Sequence, residues 1–220
     1  MNNSIQPQQI REYLDDEAER NLRRYFGDDP EDFFIGGTFE RFAGGGDRPE
    51  VANRLTAEDI VAVSMLGVQV PGETAREILV LRDGEFSELL SLIPVDIDMW
   101  QDEAEAALVP GSAAAELSER LSAIEGAGWV TAAKLLARKR PRLIPVNDRV
   151  VRKAFRDSEE FDWWAALRGV LVADPSLVEE VKALRAKAGL GEGISVLRVI
   201  DVAVWMKDHP RRRLRTKTGH

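Results

Sequence analysis

Three observations on the sequence predict an all-α fold, a multi-helix domain. Apolar residues recur at helical spacing in several segments, and capping residues stand in front of these segments. Neither hairpin turn signals nor a sustained alternation of apolar and polar residues, which would indicate strands, occurs. The chain has 220 residues, of which 44% are hydrophobic and 31% charged, as is typical of a globular protein. It is therefore long enough for one sizeable core, or for two small lobes that share one.

The composition excludes several classes of site. There is no cysteine, which excludes disulfides, a thiolate nucleophile and a cysteine-based zinc site. The two histidines, His209 and His220, stand near the end of the sequence, so a Ser-His-Asp triad or a histidine metal cluster is not expected. We expect neither a metal nor a cofactor. The first residues, "MNNSIQPQQ", are polar and uncharged, so we expect no secretory signal, and no apolar run approaches the length of a membrane span. The sequence therefore predicts a cytoplasmic protein without membrane contact.

Residues 1–54 are predicted to hold one N-terminal helix followed by an irregular loop. The helical segment has apolar residues every fourth position, at Ile10, Leu14, Ala18, Leu22 and Phe26. The loop, residues 27–54, is rich in Gly, Asp and Pro. Within it, "FFIGGTFERF" holds four aromatic residues in ten, which favours packing that pins the loop, with a peptide or ligand groove as the alternative.

Residues 55–207 are predicted to form the helical core, and residues 208–220 a basic, disordered tail. Thr56 is typical of an N-cap, with two acids in the first turn after it, and another helix should begin near Ser112. The last helix, "GISVLRVIDVAVWMKDHP", is apolar almost all round apart from Arg198 and Asp201. These two stand three residues apart, so we expect them to pair while the rest of the helix is buried.

The charge distribution is uneven along the chain. The net charge is −8, but residues 134–156 carry nine Lys and Arg against one acid, Asp148, so this segment is +8 and the remainder −16. The segment follows "IEGAGWVTAAKLL", in which Gly126 and Gly128 allow a tight turn between two helices. The N–H groups that begin the second helix would offer an anion site. The pattern indicates a hairpin that grips a DNA phosphate, or an ordinary helical hairpin with glycine caps.

Residues 117–156 resemble the helix-hairpin-helix DNA glycosylase superfamily (HhH-GPD). The resemblance lies in "GAGWVTA", in Asp148 about twenty residues later, and in "DRVVRKAF". It implies that Asp148 stabilises a cationic sugar or activates water as a base leaves. Some members hold a Schiff-base lysine where this chain has Val130, so a monofunctional enzyme is implied. The chain as a whole resembles an uncharacterised bacterial family of unknown function.

Two features depart from the glycosylase pattern or weaken it. Glu125 replaces the usual proline before the first glycine, and a second register would align Asn147 with the catalytic position. Asp148 would also suit a simple helix N-cap.

The sequence thus yields a set of candidate residues and three classes of function. Asp148 is the candidate catalytic residue. The candidate nucleic-acid contacts are the hairpin and the cations near it: Gly126, Gly128, Trp129, Lys134, Arg138, Lys139, Arg140, Arg142, Arg149 and Arg152. The functions are a monofunctional DNA base-excision glycosylase acting on double-stranded DNA, a non-catalytic nucleic-acid-binding module, and a protein-interaction or structural helical domain. The sequence does not indicate an oligomeric state.

Overall fold

The fold is all-α, as predicted. The computed structural model describes residues 5–147, 149–155 and 162–208, and no strand occurs in these ranges. The helices are α1 Pro7–Arg11, α2 Asp16–Phe26, α3 Ala57–Met65, α4 Gly72–Arg76, α5 Asp83–Ser91, α6 Ala104–Leu108, α7 Ala113–Ser122, α8 Gly128–Lys139, α9 Arg149–Ala154, α10 Trp163–Ala173, α11 Pro175–Lys187 and α12 Val196–Asp208. Two 3₁₀ turns, Ile35–Thr38 and Phe42–Gly44, and one π-helical turn, Glu77–Leu81, complete the regular structure. None of the described helices is long and apolar enough to cross a membrane.

The N-terminal helical segment is interrupted rather than continuous. Asp15 ends the connection after α1 and caps α2, because its carboxylate accepts hydrogen bonds from the backbone N–H groups of Glu17 and Ala18 at 3.0 and 3.1 Å. An aspartate in this position satisfies N–H groups that have no partner within the helix. The apolar spacing alone does not reveal this break, since both helices keep their apolar residues on one side.

The other predicted helix starts are confirmed. Thr56 precedes α3, and its backbone N–H and hydroxyl both donate to the carboxylate of Asp59, at 2.9 and 3.1 Å. Ser112 caps α7 by accepting from the N–H of Ala115 at 3.3 Å. The capping patterns in the sequence therefore located these helices to within a residue.

Helix α12 is the centre of the molecule. It packs against α2, α9 and α11, while α8 packs against α7 and α3. Residues Val196 to Val204 are all buried. Arg198 and Asp201 form the predicted ion pair within this buried stretch. Residues from the N-terminal region, such as Ile10 and Phe39, belong to the same apolar core.

The irregular segment 38–55 is held by three consecutive cations at the end of α8, here called the cation cluster (Arg138, Lys139 and Arg140). All three are at most 2% exposed. Arg138 donates to the backbone carbonyls of Phe39, Glu40 and Phe42. The approach is close enough that a Cβ on Gly46 would lie 2.7 Å from Cγ of Arg138, so only glycine fits there.

Lys139 and Arg140 complete the anchoring of this segment. Lys139 Nζ donates to the carbonyls of Gly46 and Val51 at 3.1 and 3.0 Å and lies 2.5 Å from a carboxylate oxygen of Asp59. Arg140 uses all five of its N–H groups, toward the backbone carbonyls of Ala52, Leu90, Ile93 and Lys139 and the side-chain oxygen of Asn53. Buried carbonyls of an irregular segment need donors, and here the donors come from cationic side chains.

Burial sets the ionisation of the cluster. It lowers the pKa of Lys139 below its usual range, against the opposing effect of the nearby Asp59 carboxylate. Burial also lowers the pKa of Arg140 to about 10. These cations belong to the architecture, and a phosphate cannot reach them without unfolding the segment that covers them.

Candidate functional site

The hairpin between α7 and α8 is tight and firmly seated. Gly126 and Gly128 both have left-handed backbone conformations, with φ of 80° and 68°. A Cβ on Gly126 would lie 2.5 Å from the hydroxyl oxygen of Thr74, which itself donates to the carbonyl of Glu125 at 2.7 Å. Gly126 is therefore required both by its φ and by the close approach of α4.

The N-terminal end of α8 faces solvent. Gly128 is exposed and Trp129 is 38% exposed. The guanidinium carbon of Arg152, from α9, lies 5.1 Å from the centre of the Trp129 ring, in cation–π geometry. The first N–H groups of any helix have no acceptor within the helix, so this end of α8 offers donors to a ligand. An exposed ring, a guanidinium and helix N–H groups are thus gathered at one point of the surface.

A cleft of 1110 Å³ lies beside this end of α8. Its walls come from α2, the turn Ile35–Thr38, the end of α3, α8, the start of α9 and α12, and Val146 also lines it. Val130 and Lys134 of α8 and Arg149 of α9 line the side nearest the hairpin. Among the other lining residues, Met65, Leu66, Val146 and Met206 are apolar.

Three aromatic residues form one wall of the cleft: Tyr25, Phe34 and Trp205. Tyr25 and Phe34 stack with ring centres 5.4 Å apart and planes at 19°. Trp205 meets both rings edge to face, at 5.8 Å from Tyr25 and 5.9 Å from Phe34. Such contacts hold each ring in one orientation, so the wall is rigid.

Arg198 fixes this wall from behind. One of its terminal nitrogens donates to the hydroxyl of Tyr25 at 3.0 Å and to the carbonyl of Gly36 at 3.1 Å, and the rest of the guanidinium pairs with Asp201 and Glu40. Burial lowers the pKa of Arg198, but the adjacent carboxylates outweigh this effect and raise it above its ordinary value. Arg198 is therefore charged and its donors are committed to the protein. Burial raises the pKa of Tyr25 to about 12, which keeps its hydroxyl protonated.

The predicted nucleic-acid contacts are divided between the surface, the cleft and the interior. Gly126, Gly128 and Arg149 are exposed and Arg152 is half-buried. Lys134 is 5% exposed and lines the cleft, with Nζ 2.9 Å from the carbonyl oxygen of Leu66.

The remaining predicted residues are engaged elsewhere or lie outside the described part of the chain. Arg138, Lys139 and Arg140 are interior. Arg142 makes a two-point ion pair with Asp98, both N–O distances being 2.8 Å. The candidate catalytic Asp148, and the predicted tail beyond residue 208, lie outside the described residues.

The sequence did not predict the aromatic wall or its support. Tyr25, Phe34, Trp205 and Arg198 come from distant parts of the chain, and no local motif joins them. The cluster of aromatics in "FFIGGTFERF" was the one available signal. Two of its residues, Phe33 and Phe34, line the cleft.

The fold and the cleft define an all-α protein with a large aromatic-walled cleft beside a helical hairpin. The chain belongs to a family of unknown function, DUF6308, which matches residues 18–208. No curated protein and no solved structure matched the chain. The expected membership of an uncharacterised family is thus confirmed, and the resemblance of residues 117–156 to the glycosylases stays a prediction.

Proposed function

We propose that the chain is a DNA-associated protein that grips a backbone phosphate with the hairpin between α7 and α8. The observation that carries this proposal is the exposed start of α8, where Gly128 and Trp129 face solvent beneath the guanidinium of Arg152. Helix N–H groups and a guanidinium are both good phosphate donors, and an aromatic ring adds a surface on which a base can stack.

The burial of the cation cluster makes the proposed interface smaller than the sequence predicts. Of the nine Lys and Arg in residues 134–156, the described ones that reach solvent near the hairpin are Arg149, Arg152 and Lys153. Two or three phosphate contacts correspond to a slope of about −2 to −3 in log affinity against log salt concentration. The remaining acidic surface would repel DNA elsewhere, so binding should be local and modest.

Base excision is the finer form of this proposal. A cleft that adjoins the hairpin supports it, because an extruded base needs a pocket close to the phosphate grip. Val130 lines that cleft where some glycosylases hold a nucleophilic lysine, so the chemistry would be monofunctional. In this scheme Asp148 acts as an ionised carboxylate that stabilises the cationic sugar.

The test is fluorescence anisotropy of the full chain with labelled duplexes, one undamaged and one containing an abasic-site analogue, over a salt series. We expect Arg152→Ala to weaken binding and to reduce the salt slope by about 1. Arg54→Ala is the matched control, because this exposed arginine pairs with Asp83 on α5 and should leave binding unchanged.

The duplex pair separates the two forms of the proposal. A preference for the abasic duplex, with base release abolished by Asp148→Asn, would support excision. Equal, salt-sensitive binding to both duplexes would support a non-catalytic binding module. Absence of binding at low salt would overturn both forms.

A further inference from the structure

We propose that the segment after α12, residues 209–220, docks across the edge of the cleft that α2 and the turn Ile35–Thr38 form. This segment, "HPRRRLRTKTGH", lies outside the described part of the chain. The contact does not depend on DNA binding by the hairpin. It would make the segment an intramolecular strap, which any ligand of the cleft has to displace.

The segment starts at the cleft, because α12 ends there. Trp205 and Lys207, in the last turn of α12, both line the cleft. Lys207 Nζ pairs with Asp15 at 2.8 Å, and the ring of Trp205 lies 5.9 Å from that of Phe34. Helix α2, with 11 residues, is about 16 Å long, whereas twelve extended residues span up to about 40 Å. Residues 209–220 can therefore reach both ends of α2.

The edge of the cleft carries exposed apolar side chains. Phe33 and Ile35 line the cleft and are 47% and 59% exposed, on either side of the packed ring of Phe34. Exposed apolar side chains rimmed by polar residues are typical of interaction surfaces. Leu214 is the one large apolar residue of the segment, and about 20 Å of extended chain joins it to Asp208. Leu214 is thus the side chain that Phe33 and Ile35 would receive.

The charge of this edge is opposite to that of the segment. Four exposed acids have no ion-pair partner among the described residues: Glu12, Asp16, Asp29 and Glu31. The other acids of residues 12–32 all pair with Lys or Arg, so these four leave a charge of −4 that no described cation offsets. Residues 209–220 carry four Arg, one Lys and no acid. The segment is therefore complementary in charge to the surface beside which it starts.

The acids stand at both ends of the helix that lines the cleft. Glu17, Asn21 and Arg24 line the cleft at helical spacing, so one face of α2 borders it along the length of the helix. Glu12 and Asp16 lie at the start of α2, and Asp29 and Glu31 follow its end. A basic segment laid along α2 thus meets unpaired carboxylates at either end.

Covalent attachment makes weak contacts sufficient. Ion pairs between exposed side chains are weak and are screened by salt. A segment joined directly to its site has an effective concentration on the order of millimolar, so it occupies a site that would not hold the same peptide when separate. The docking should therefore occur within one chain and should be lost at high salt.

The experiment measures paramagnetic relaxation in the full chain by nuclear magnetic resonance. The sequence has no cysteine, so Gly219→Cys provides a single attachment point for a nitroxide. We expect the amide signals of residues 29–35 to lose at least about half of their intensity at low salt and to recover in about 0.5 M NaCl. The nitroxide reduced with ascorbate gives the reference intensities. Residues 102–105, which do not line the cleft, should keep their signals.

Two pairs of variants separate the charges from the apolar contact. Asp29→Asn combined with Glu31→Gln should restore at least about half of the lost intensity at low salt. Its matched control is Asp102→Asn combined with Glu103→Gln, which neutralises two exposed acids elsewhere and should leave the broadening unchanged. Leu214→Ser should also reduce the broadening, whereas Thr216→Ser in the same segment should not.

A mixed sample tests whether the contact lies within one chain. It combines isotope-labelled chain without nitroxide and nitroxide-labelled chain without isotope, and its signals should stay sharp. Broadening in this sample would assign the segment to a second copy of the chain and overturn the intramolecular contact.

Three other results would overturn the proposal. The first is full intensity of residues 29–35 at low salt with the nitroxide active. The second is equal recovery in the Asp29/Glu31 variant and its control. The third is equal broadening of residues 102–105, which would show that the segment contacts acidic surface without preference for the cleft.

Discussion

The two ends of α8 differ as sharply as any two regions of the molecule. The first two residues, Gly128 and Trp129, are exposed, whereas every residue from Thr131 to Arg140 is buried. One end faces solvent beside a cleft, and the other end donates hydrogen bonds to an irregular segment that it holds in place. A run of basic residues next to a glycine hairpin therefore has two separate roles, one at the surface and one in the interior, and sequence proximity does not distinguish them.

Replacing Arg140 by Ala should have the largest effect on stability. It removes five N–H donors and leaves buried carbonyls such as those of Ala52 and Ile93 without partners. We expect a loss of about 4 kcal/mol in the free energy of unfolding, measured by urea denaturation. Arg142→Ala is the control, since this half-exposed arginine pairs with Asp98 and should cost about 1 kcal/mol or less. Similar losses in the two variants would contradict a structural role for Arg140 that Arg142 does not share. If the alanine variant does not fold, Arg140→Lys is measured in its place.

Asp59→Asn should cost somewhat less, about 3 kcal/mol in the free energy of unfolding. The change leaves Arg138 and Lys139 without their buried anion, although the amide still accepts hydrogen bonds. Glu58→Gln, in the same first turn of α3 but exposed, is the matched control and should change stability by less than about 0.5 kcal/mol. An Asp59→Asn variant as stable as the control would show that the ion pairs contribute nothing to the fold.

The two tyrosines give a pH test of the packing around α2 and α12. Burial raises the pKa of Tyr25 to about 12, and burial together with a hydrogen bond to Asp208 raises that of Tyr13 to about 12. The folded state thus retains phenol protons that the unfolded state loses above pH about 10, so the free energy of unfolding falls as pH rises from about 10 to 12. Tyrosinate absorbance should show a midpoint near 12 in the folded protein and near 10 in urea. A folded-state midpoint near 10 for either tyrosine would disprove its burial.

Of these substitutions Trp129→Ala should have the smallest effect on stability, about 1 kcal/mol, because the side chain is 38% exposed and loses only partial burial and its contact with Arg152. It should nevertheless weaken DNA binding in the anisotropy assay, by about 1 kcal/mol or more if a base stacks on the ring. Trp163→Ala is the contrasting variant, since that ring is 3% exposed and its loss should cost about 3 kcal/mol or more of stability. A Trp129 variant that binds DNA normally would leave this end of α8 without the proposed role.

The elements that the sequence predicted correctly are those with local causes. Thr56 and Ser112 mark helix starts because capping acts over three residues, and Arg198 and Asp201 pair because one turn of helix brings them together. The burial of Arg138, Lys139 and Arg140 was not predictable from local causes. A run of Lys and Arg is usually solvated, and only the loop that covers this one reverses that expectation.

A non-local signal for the buried cations was nevertheless present. The segment 27–54 is too long and too rich in glycine to satisfy its own carbonyl groups by secondary structure, so donors had to come from elsewhere in the chain. The cleft had no comparable signal, because Tyr25, Phe34, Lys134 and Trp205 are far apart in the sequence and only the fold brings them to the lining of one cleft.

The grip of Arg138, Lys139 and Arg140 on residues 39–52 also sets an order of events during synthesis. A ribosome makes the chain from its N-terminus, so the carbonyl groups of the early segment exist some ninety residues before their donors do. A nascent chain that stops short of residue 138 lacks the side chains that donate to the carbonyls of Phe39, Gly46 and Ala52. Closure of this segment therefore waits for the end of α8.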